Sequence, residues 1–351
     1  MNIDKCLDAV RNCRFCFMCR HLSAVGNVTF TEADTPRIRA AVIYGAMMHP
    51  EWWSNPEYID MLYRADLSRN CAHHCVNHYD ENALLIAART DVVEKGFAPA
   101  AVKALREELI ASASWQVSGS GDVLYFVDPY TAEAKIDGTF DAIMKKAGKK
   151  YAAVRGGCIG RALKVLGFAD DAKQTLEKFA AVIGKTGAKT LVVSNPAAYE
   201  MLKNDAKAFG VSLPMTVMHT SEYLLTLKLK TAKAAGKLYY LESDYLRNYN
   251  DLPFPHELLK SLGAEEQHFG ADRDWLGVPD QQESFTCGEG AVVLPKLYPE
   301  LVKKLAAYIE KQADDPSSDR IITASPYTKL CLTKYTSLQV ETLEETVLKA
   351  L

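Results

Sequence analysis

The chain has 351 residues, 48% of them hydrophobic and 24% charged, enough to bury a large core spread over two or three domains. A formal net charge of -3 without a basic tract excludes the electrostatic footprint of a nucleic-acid binder. No apolar run reaches the roughly 18 residues of a membrane span, and Met1-Asn2-Ile3-Asp4-Lys5-Cys6-Leu7 lacks the apolar stretch of a signal peptide, so a cytoplasmic location without a transmembrane segment is expected.

Residues 1–115 read as a helical domain. Near its start Cys13, Cys16 and Cys19 form a Cys-x-x-Cys-x-x-Cys loop, answered later by Cys71 and Cys75. Two tight cysteine groups in a cytoplasmic chain read as metal ligands rather than as disulfides. Three evenly stepped thiols can hold three corners of an iron-sulfur cube, with a remote cysteine at the fourth. Two-cluster ferredoxins carry Cys-x2-Cys-x2-Cys-x3-Cys-Pro twice, and each fourth cysteine serves the other cluster. Against that rule Ser23 and Ala24 replace the fourth cysteine and the proline of the first copy, while Ala65 and Ser68 replace the first two cysteines of the second. One full set remains: Cys13, Cys16, Cys19 and Cys75, for a single [4Fe-4S] cluster. Cys71 is left over. A structural zinc site is the alternative, with His73 and His74 between Cys71 and Cys75. Cys6 reads more simply as a small buried hydrophobe, and His21 and His78 share the region.

After Cys75, residues 80–110 read as helix with a break at Gly96-Phe97-Ala98-Pro99. From Gly121, short β-rich runs alternate with amphipathic helices, which predicts an α/β fold with parallel sheet. An internal repeat divides this part into 116–230 and 231–351. Gly156-Gly157-Cys158-Ile159-Gly160 precedes a long helical stretch, the strand Lys189–Val193 and the turn Ser194-Asn195-Pro196. Thr286-Cys287-Gly288-Glu289-Gly290 precedes a helix, the strand Arg320–Thr323 and the turn Ala324-Ser325-Pro326, at spacings equal to within a single residue. The strand-turns ending at Asp128-Pro129 and at Asp244 match as well. Two α/β halves facing across a pseudo-twofold axis are expected, with Cys158, Cys287, His219 and Asp244 as candidates for a cleft between them. Cys158 and Cys287 read either as a facing pair able to bind a ligand or metal or to form a redox disulfide, or as buried remnants beside glycines that the turns require. Cys331 has no paired signal.

These features resemble a family of iron-sulfur subunits that includes those of glycolate oxidase and anaerobic glycerol-3-phosphate dehydrogenase, lactate utilisation protein A, and the CCG-bearing components of heterodisulfide reductase. The cysteine loop, Thr35-Pro36-Arg37-Ile38-Arg39, Ala87-Ala88-Arg89-Thr90-Asp91-Val92-Val93-Glu94-Lys95-Gly96, His219-Thr220-Ser221-Glu222-Tyr223 and the paired Gly-Cys and Pro-containing turns carry the resemblance. It implies a helical ferredoxin-like domain followed by two CCG-type α/β halves. It also implies a non-catalytic electron-transfer subunit of an oxidoreductase, partnered by a flavoprotein dehydrogenase acting on a 2-hydroxy acid or polyol phosphate. No Gly-x-Gly-x-x-Gly follows a strand, so a flavin is expected only in the partner. The chain departs from the family in keeping one thiol per CCG module: Asn195-Pro196-Ala197-Ala198 and Ser325-Pro326-Tyr327-Thr328 stand for Cys-Pro-x-Cys. Those modules cannot hold a four-iron cluster. The degenerate halves leave a second reading open, a ligand-binding, scaffolding or redox-sensing protein with a retained cluster.

Overall fold

The computed structural model describes residues 1–73, 75–234, 237–267, 285–313, 315–316 and 318–351. A helical region precedes two α/β units, each built on a mainly parallel sheet. The first sheet comprises β1 (Trp115–Gly119), β2 (Val123–Val127), β3 (Ala152–Gly156), β4 (Thr190–Val193) and β5 (Thr216–His219) in the order β1-β3-β2-β4-β5, with β1 antiparallel to β3 and the other pairs parallel. The second comprises β6 (Lys237–Leu241), β7 (Glu265–Gln267), β8 (Arg320–Thr323) and β9 (Gln339–Thr342) in the order β7-β6-β8-β9, all parallel. Leaving β1 aside, both sheets follow one strand order.

Each central strand is an apolar run that helices cover on both faces, as parallel sheets require, and each ends in a polar cap. Asp128, after β2, accepts the main-chain N–H of Tyr130 at 2.9 Å and starts the helix Pro129–Glu133. Asn195, after β4, accepts from Ala197 N, and Ser325, after β8, from Thr328 N; both helices begin on proline, whose missing N–H costs nothing in the first turn. The carboxyl ends of the two sheets meet: Thr220 Oγ1 donates to Glu344 at 2.5 Å. His219 lies at the same junction. Its Nδ1 accepts from Ser221 N at 3.2 Å, so its Nε2 carries the proton and donates to Ser194 O at 3.2 Å. Burial holds this imidazole down at about 4, hence neutral.

β1 was not legible in the sequence; it is an exposed antiparallel edge strand with one partly buried residue, Trp115. The helix expected after Gly160 is broken at Gly167, which takes φ 98° where the chain presses on Arg89: a Cβ there would lie 2.6 Å from the Arg89 carbonyl oxygen. The one expected after Gly290 is split into Leu294–Leu297 and Pro299–Glu310, because Pro299 opens a new helix.

Two apolar cores knit the regions together. Ile43, Leu62 and Leu84 of the helical region share one with Leu294, Val302 and Ile309 of the second unit. Phe126, Leu191 and Phe179 of the first unit share another with Leu238, Leu259 and Ile322 of the second. Arg89, wholly buried on the helix Glu81–Glu94, donates to Leu62 O (2.6 and 3.0 Å), Ala65 O (3.2 Å) and Val165 O (3.0 Å). Asp91, two residues on, accepts the N–H groups of Asn2 (2.6 Å) and Ile3 (3.0 Å).

Arg89→Lys retains the charge but cannot reach three carbonyls at once, and it should lower the unfolding free energy by about 2–3 kcal/mol, measured as a fall in the urea midpoint at unchanged m-value. His256 lies between Glu242 (2.6 Å) and Glu266 (2.9 Å), whose hydrogen bonds raise it to about 10. A folded value above the unfolded one stabilises fully below pH 6.5, and this contribution is lost as pH rises towards 10. With the ring 36% exposed, the screened contribution is about 1 kcal/mol. His256→Gln should therefore cost about that much at pH 6, and the gap from the parent should close by pH 10 in paired denaturant titrations.

Candidate metal centre

The short helix Leu7–Asn12 ends at Cys13, and the irregular loop carrying Cys16 and Cys19 runs from there to Ser23, which caps the helix Ala24–Thr29. The second group is carried by a single 3-10 turn, Asn70–His73, followed by Cys75. These two segments, remote in sequence, form walls of one pocket lined by Cys13, Cys16, Cys19, Cys71 and Cys75, together with Tyr79 and Glu81. The four sequence-assigned ligands are therefore together, and so is Cys71, which the ferredoxin count had set aside. Cys6 does not line the pocket; it packs against the apolar core. His74 lies outside the described residues, as does the side chain of His73; His78 is exposed.

Main-chain strain gathers here. Phe15 (φ 51°), Leu67 (φ 53°), Arg69 (φ 63°) and His78 (φ 50°) are all left-handed without being glycine, a conformation that persists where surrounding contacts enforce it. Tyr79 N donates to Cys75 Sγ at 3.4 Å, and the main-chain N–H groups of Phe15 and Arg37 stabilise the anionic forms of Cys13 and Cys19. Such hydrogen bonds to ligand sulfurs are a lever on cluster potential. Cys71 Sγ instead donates to Cys19 O at 3.4 Å, linking the two walls.

Burial dominates the thiols' electrostatics. It pushes Cys19 up to about 11, opposed by the Arg37 N–H, and Cys71 well above its ordinary value, with Glu81 adding to both. Beneath the pocket buried Arg39 pairs at 2.9 Å with Glu81, whose side chain is 13% exposed. Among the described residues, Arg39 Nε and Nη2, Asp66 Oδ2 and Asn82 Oδ1 meet no hydrogen-bond partner. The sequence singled out the segment around Arg39 but assigned it no role, and it gave no sign of Glu81, whose only local signal is its place in the first turn of a helix. Among the described residues, no group of three or more His, Cys, Asp or Glu side chains converges closely enough to hold a metal ion. The thiols line the walls of a pocket instead of meeting at a point. Five thiols in one pocket, with main-chain N–H groups beside three of the sulfurs, fit the donor chemistry of an iron-sulfur cluster.

Of the candidate cleft residues, Cys287 and Asp244 share one buried cluster around the Thr286–Gly290 turn. Cys158 is partly exposed beside Ser112, its sulfur accepting from Gly160 N at 3.3 Å. Cys287 is fully buried, its thiol raised by burial and next by Cys331, Asp244 and Glu289. Asp244 accepts from Thr286 Oγ1 (2.7 Å) and Gly290 N (3.0 Å). Glu289 Oε2 accepts from Ser243 Oγ (2.8 Å) and Asp244 N (2.7 Å), while its Oε1 has Ser325 beside it but no well-formed hydrogen bond. Burial and their mutual repulsion raise Asp244, and burial raises Glu289, which favours their neutral forms.

The chain matches no protein-family model and no curated protein. Among solved structures it is similar to an aspartate racemase homologue from Pyrococcus horikoshii OT3, at 10% identity and a TM-score of 0.29, over 65% of this chain and 96% of that one. A likeness of that size carries no argument about fold or activity.

In metal-free, reduced protein at pH 8, exposed Cys16 should react with iodoacetamide at least about tenfold faster than Cys19 or Cys71, since access and thiolate fraction both govern alkylation. Site-resolved mass spectrometry of the time course checks the order.

Proposed function

We propose that this protein is an electron-transfer subunit holding one [4Fe-4S] cluster on Cys13, Cys16, Cys19 and Cys75, a degenerate member of the CCG-domain iron-sulfur subunits serving a flavin-linked dehydrogenase. The observation that carries this reading is the convergence of two sequence-remote cysteine groups on one pocket. The cluster, when bound, supplies a one-electron redox centre. The chain's residues do the rest. The thiols bind, and the N–H groups of Phe15, Arg37 and Tyr79 stabilise sulfur charge. Buried Tyr79 closes the inner wall against water. Phe15, Phe17, Met18 and Val76 stand 45–77% exposed on the two cysteine segments, an apolar rim through which a partner can approach. Because burial raises Cys13 and Cys19 when metal is absent, loading must displace protons from them, so binding strengthens as pH rises.

The common strand order of the two α/β units supports the duplicated-CCG reading of the second part of the chain. With one thiol at each Gly-Cys turn, those units serve as scaffold in this proposal.

Anaerobically purified protein should contain about four irons and matching acid-labile sulfide, with an S = 1/2 EPR signal after dithionite reduction. Cys75→Ser should abolish or shift that signal, and Cys71→Ser should leave it in place. Zinc without sulfide in the parent protein overturns the reading.

A further inference from the structure

The wall bearing Cys71 and Cys75 is seated by the second α/β unit. After β6 the chain forms a π-helical segment, Asp244–Tyr249, rather than an ordinary helix; such segments are uncommon and recur at functional sites. Its last two side chains reach the turn that leads into Cys71. Asn248 Nδ2 donates to Ser68 O and to Asn70 Oδ1, each at 2.8 Å. Tyr249 Oη donates to Leu67 O at 2.6 Å and accepts from Asn82 Nδ2 at 2.7 Å; Asn82 also donates to Leu67 O at 2.9 Å. The Arg69 guanidinium lies 5.7 Å over the Tyr249 ring. Leu67 and Arg69 are the two residues of this turn held in left-handed conformations, which need such external restraint.

The other end of the segment is anchored. Asp244 is hydrogen bonded to the Thr286–Gly290 turn, and Tyr245 Oη donates to Gly290 O at 2.6 Å. Gly290 itself presses on the cysteine-bearing turn: a Cβ there would lie 2.0 Å from Leu67 O. The turn before Cys71 is thus gripped from two sides by one α/β unit, while the loop bearing Cys13, Cys16 and Cys19 makes none of these contacts.

We infer that Asn248 and Tyr249 are positioning residues for the Cys71–Cys75 wall, so that the second α/β unit sets the geometry of one side of the cysteine pocket. As a statement about ligand geometry it rests on the electron-transfer reading; as a statement about the loop it does not. Tyr249→Phe removes one hydroxyl without changing shape, and Asn248→Ala removes both amide donations.

The test is site-resolved alkylation of metal-free, reduced protein with iodoacetamide, alongside EPR of anaerobically loaded protein. In both variants Cys71 and Cys75 should react roughly fivefold to tenfold faster, the effect expected when one or two hydrogen bonds no longer oppose local opening. Cys13, Cys16 and Cys19 should keep their parental rates. Buried Cys287 and Cys331 report global unfolding and should stay protected; if they accelerate in parallel, or if all cysteines respond alike, the inference fails. Loaded variants should retain iron but show shifted g-values and a shifted reduction potential. Unchanged Cys71 and Cys75 rates in iron-containing protein overturn the positioning role and leave the electron-transfer reading standing. A selective rate change in a protein that takes no iron does the reverse.

Discussion

The buried guanidinium of Arg89 is the contact on which the arrangement depends. A cation this deep is costly unless its donors are satisfied, and here they meet the carbonyl-rich ends of two helices, Pro56–Tyr63 through Leu62 and Ala65, and Arg161–Leu166 through Val165. Both helix ends carry partial negative charge from unpaired carbonyls, so a cation is the complementary partner. Tyr63 lies with its ring 5.3 Å from the guanidinium and donates its hydroxyl to Leu166 O at 3.0 Å. Burial lowers Arg89 to about 10, still charged at neutral pH. The helical region and the first α/β unit are joined at this point, and the chain leaving it after Ala65 runs directly to the turn before Cys71.

Charge is handled differently below the pocket. Arg39 pairs with Glu81 beside Asp66, whose carboxyl burial raises although the nearby guanidinium opposes the shift. The carboxylate of Glu81 faces the thiols and makes their ionisation harder, while main-chain N–H groups make it easier. A pocket balanced in this way favours neutral thiols when metal-free and reserves thiolate stabilisation for the moment a positive centre enters. The orphaned donors of Arg39 and the orphaned oxygens of Asp66 and Asn82 mark a region beside the pocket where polar groups exceed their partners among the described residues.

What could be read from the sequence was periodic or chemically rare. Cysteine spacing identified both halves of the pocket, and apolar runs ending in Asp-Pro, Asn-Pro and Ser-Pro located β2, β4 and β8 and the caps that follow them. The ferredoxin rule, which counts ligands along the chain, left Cys71 over and carries no information on where its side chain lies; it lines the same pocket as the four assigned ligands. Glu81 and Asn82 escaped notice as ordinary first-turn residues, although burial gives them a place in the pocket. Asn248 and Tyr249 sit in a polar, aperiodic stretch whose partners are main-chain carbonyls about 180 residues away; backbone acceptors leave no residue-type signature to find. β1 went unseen for a related reason: an exposed edge strand carries little apolar alternation.

The seating of the Leu67–Asn70 turn by Asn248, Tyr249 and Gly290 also has a consequence for the order of assembly during synthesis. During synthesis Cys13, Cys16 and Cys19 emerge well before Asn248, Tyr249 and Gly290, the groups that hold the turn before Cys71 in place. The thiols of both cysteine segments are therefore open to oxidation until the residues that seat the turn before Cys71 have been made.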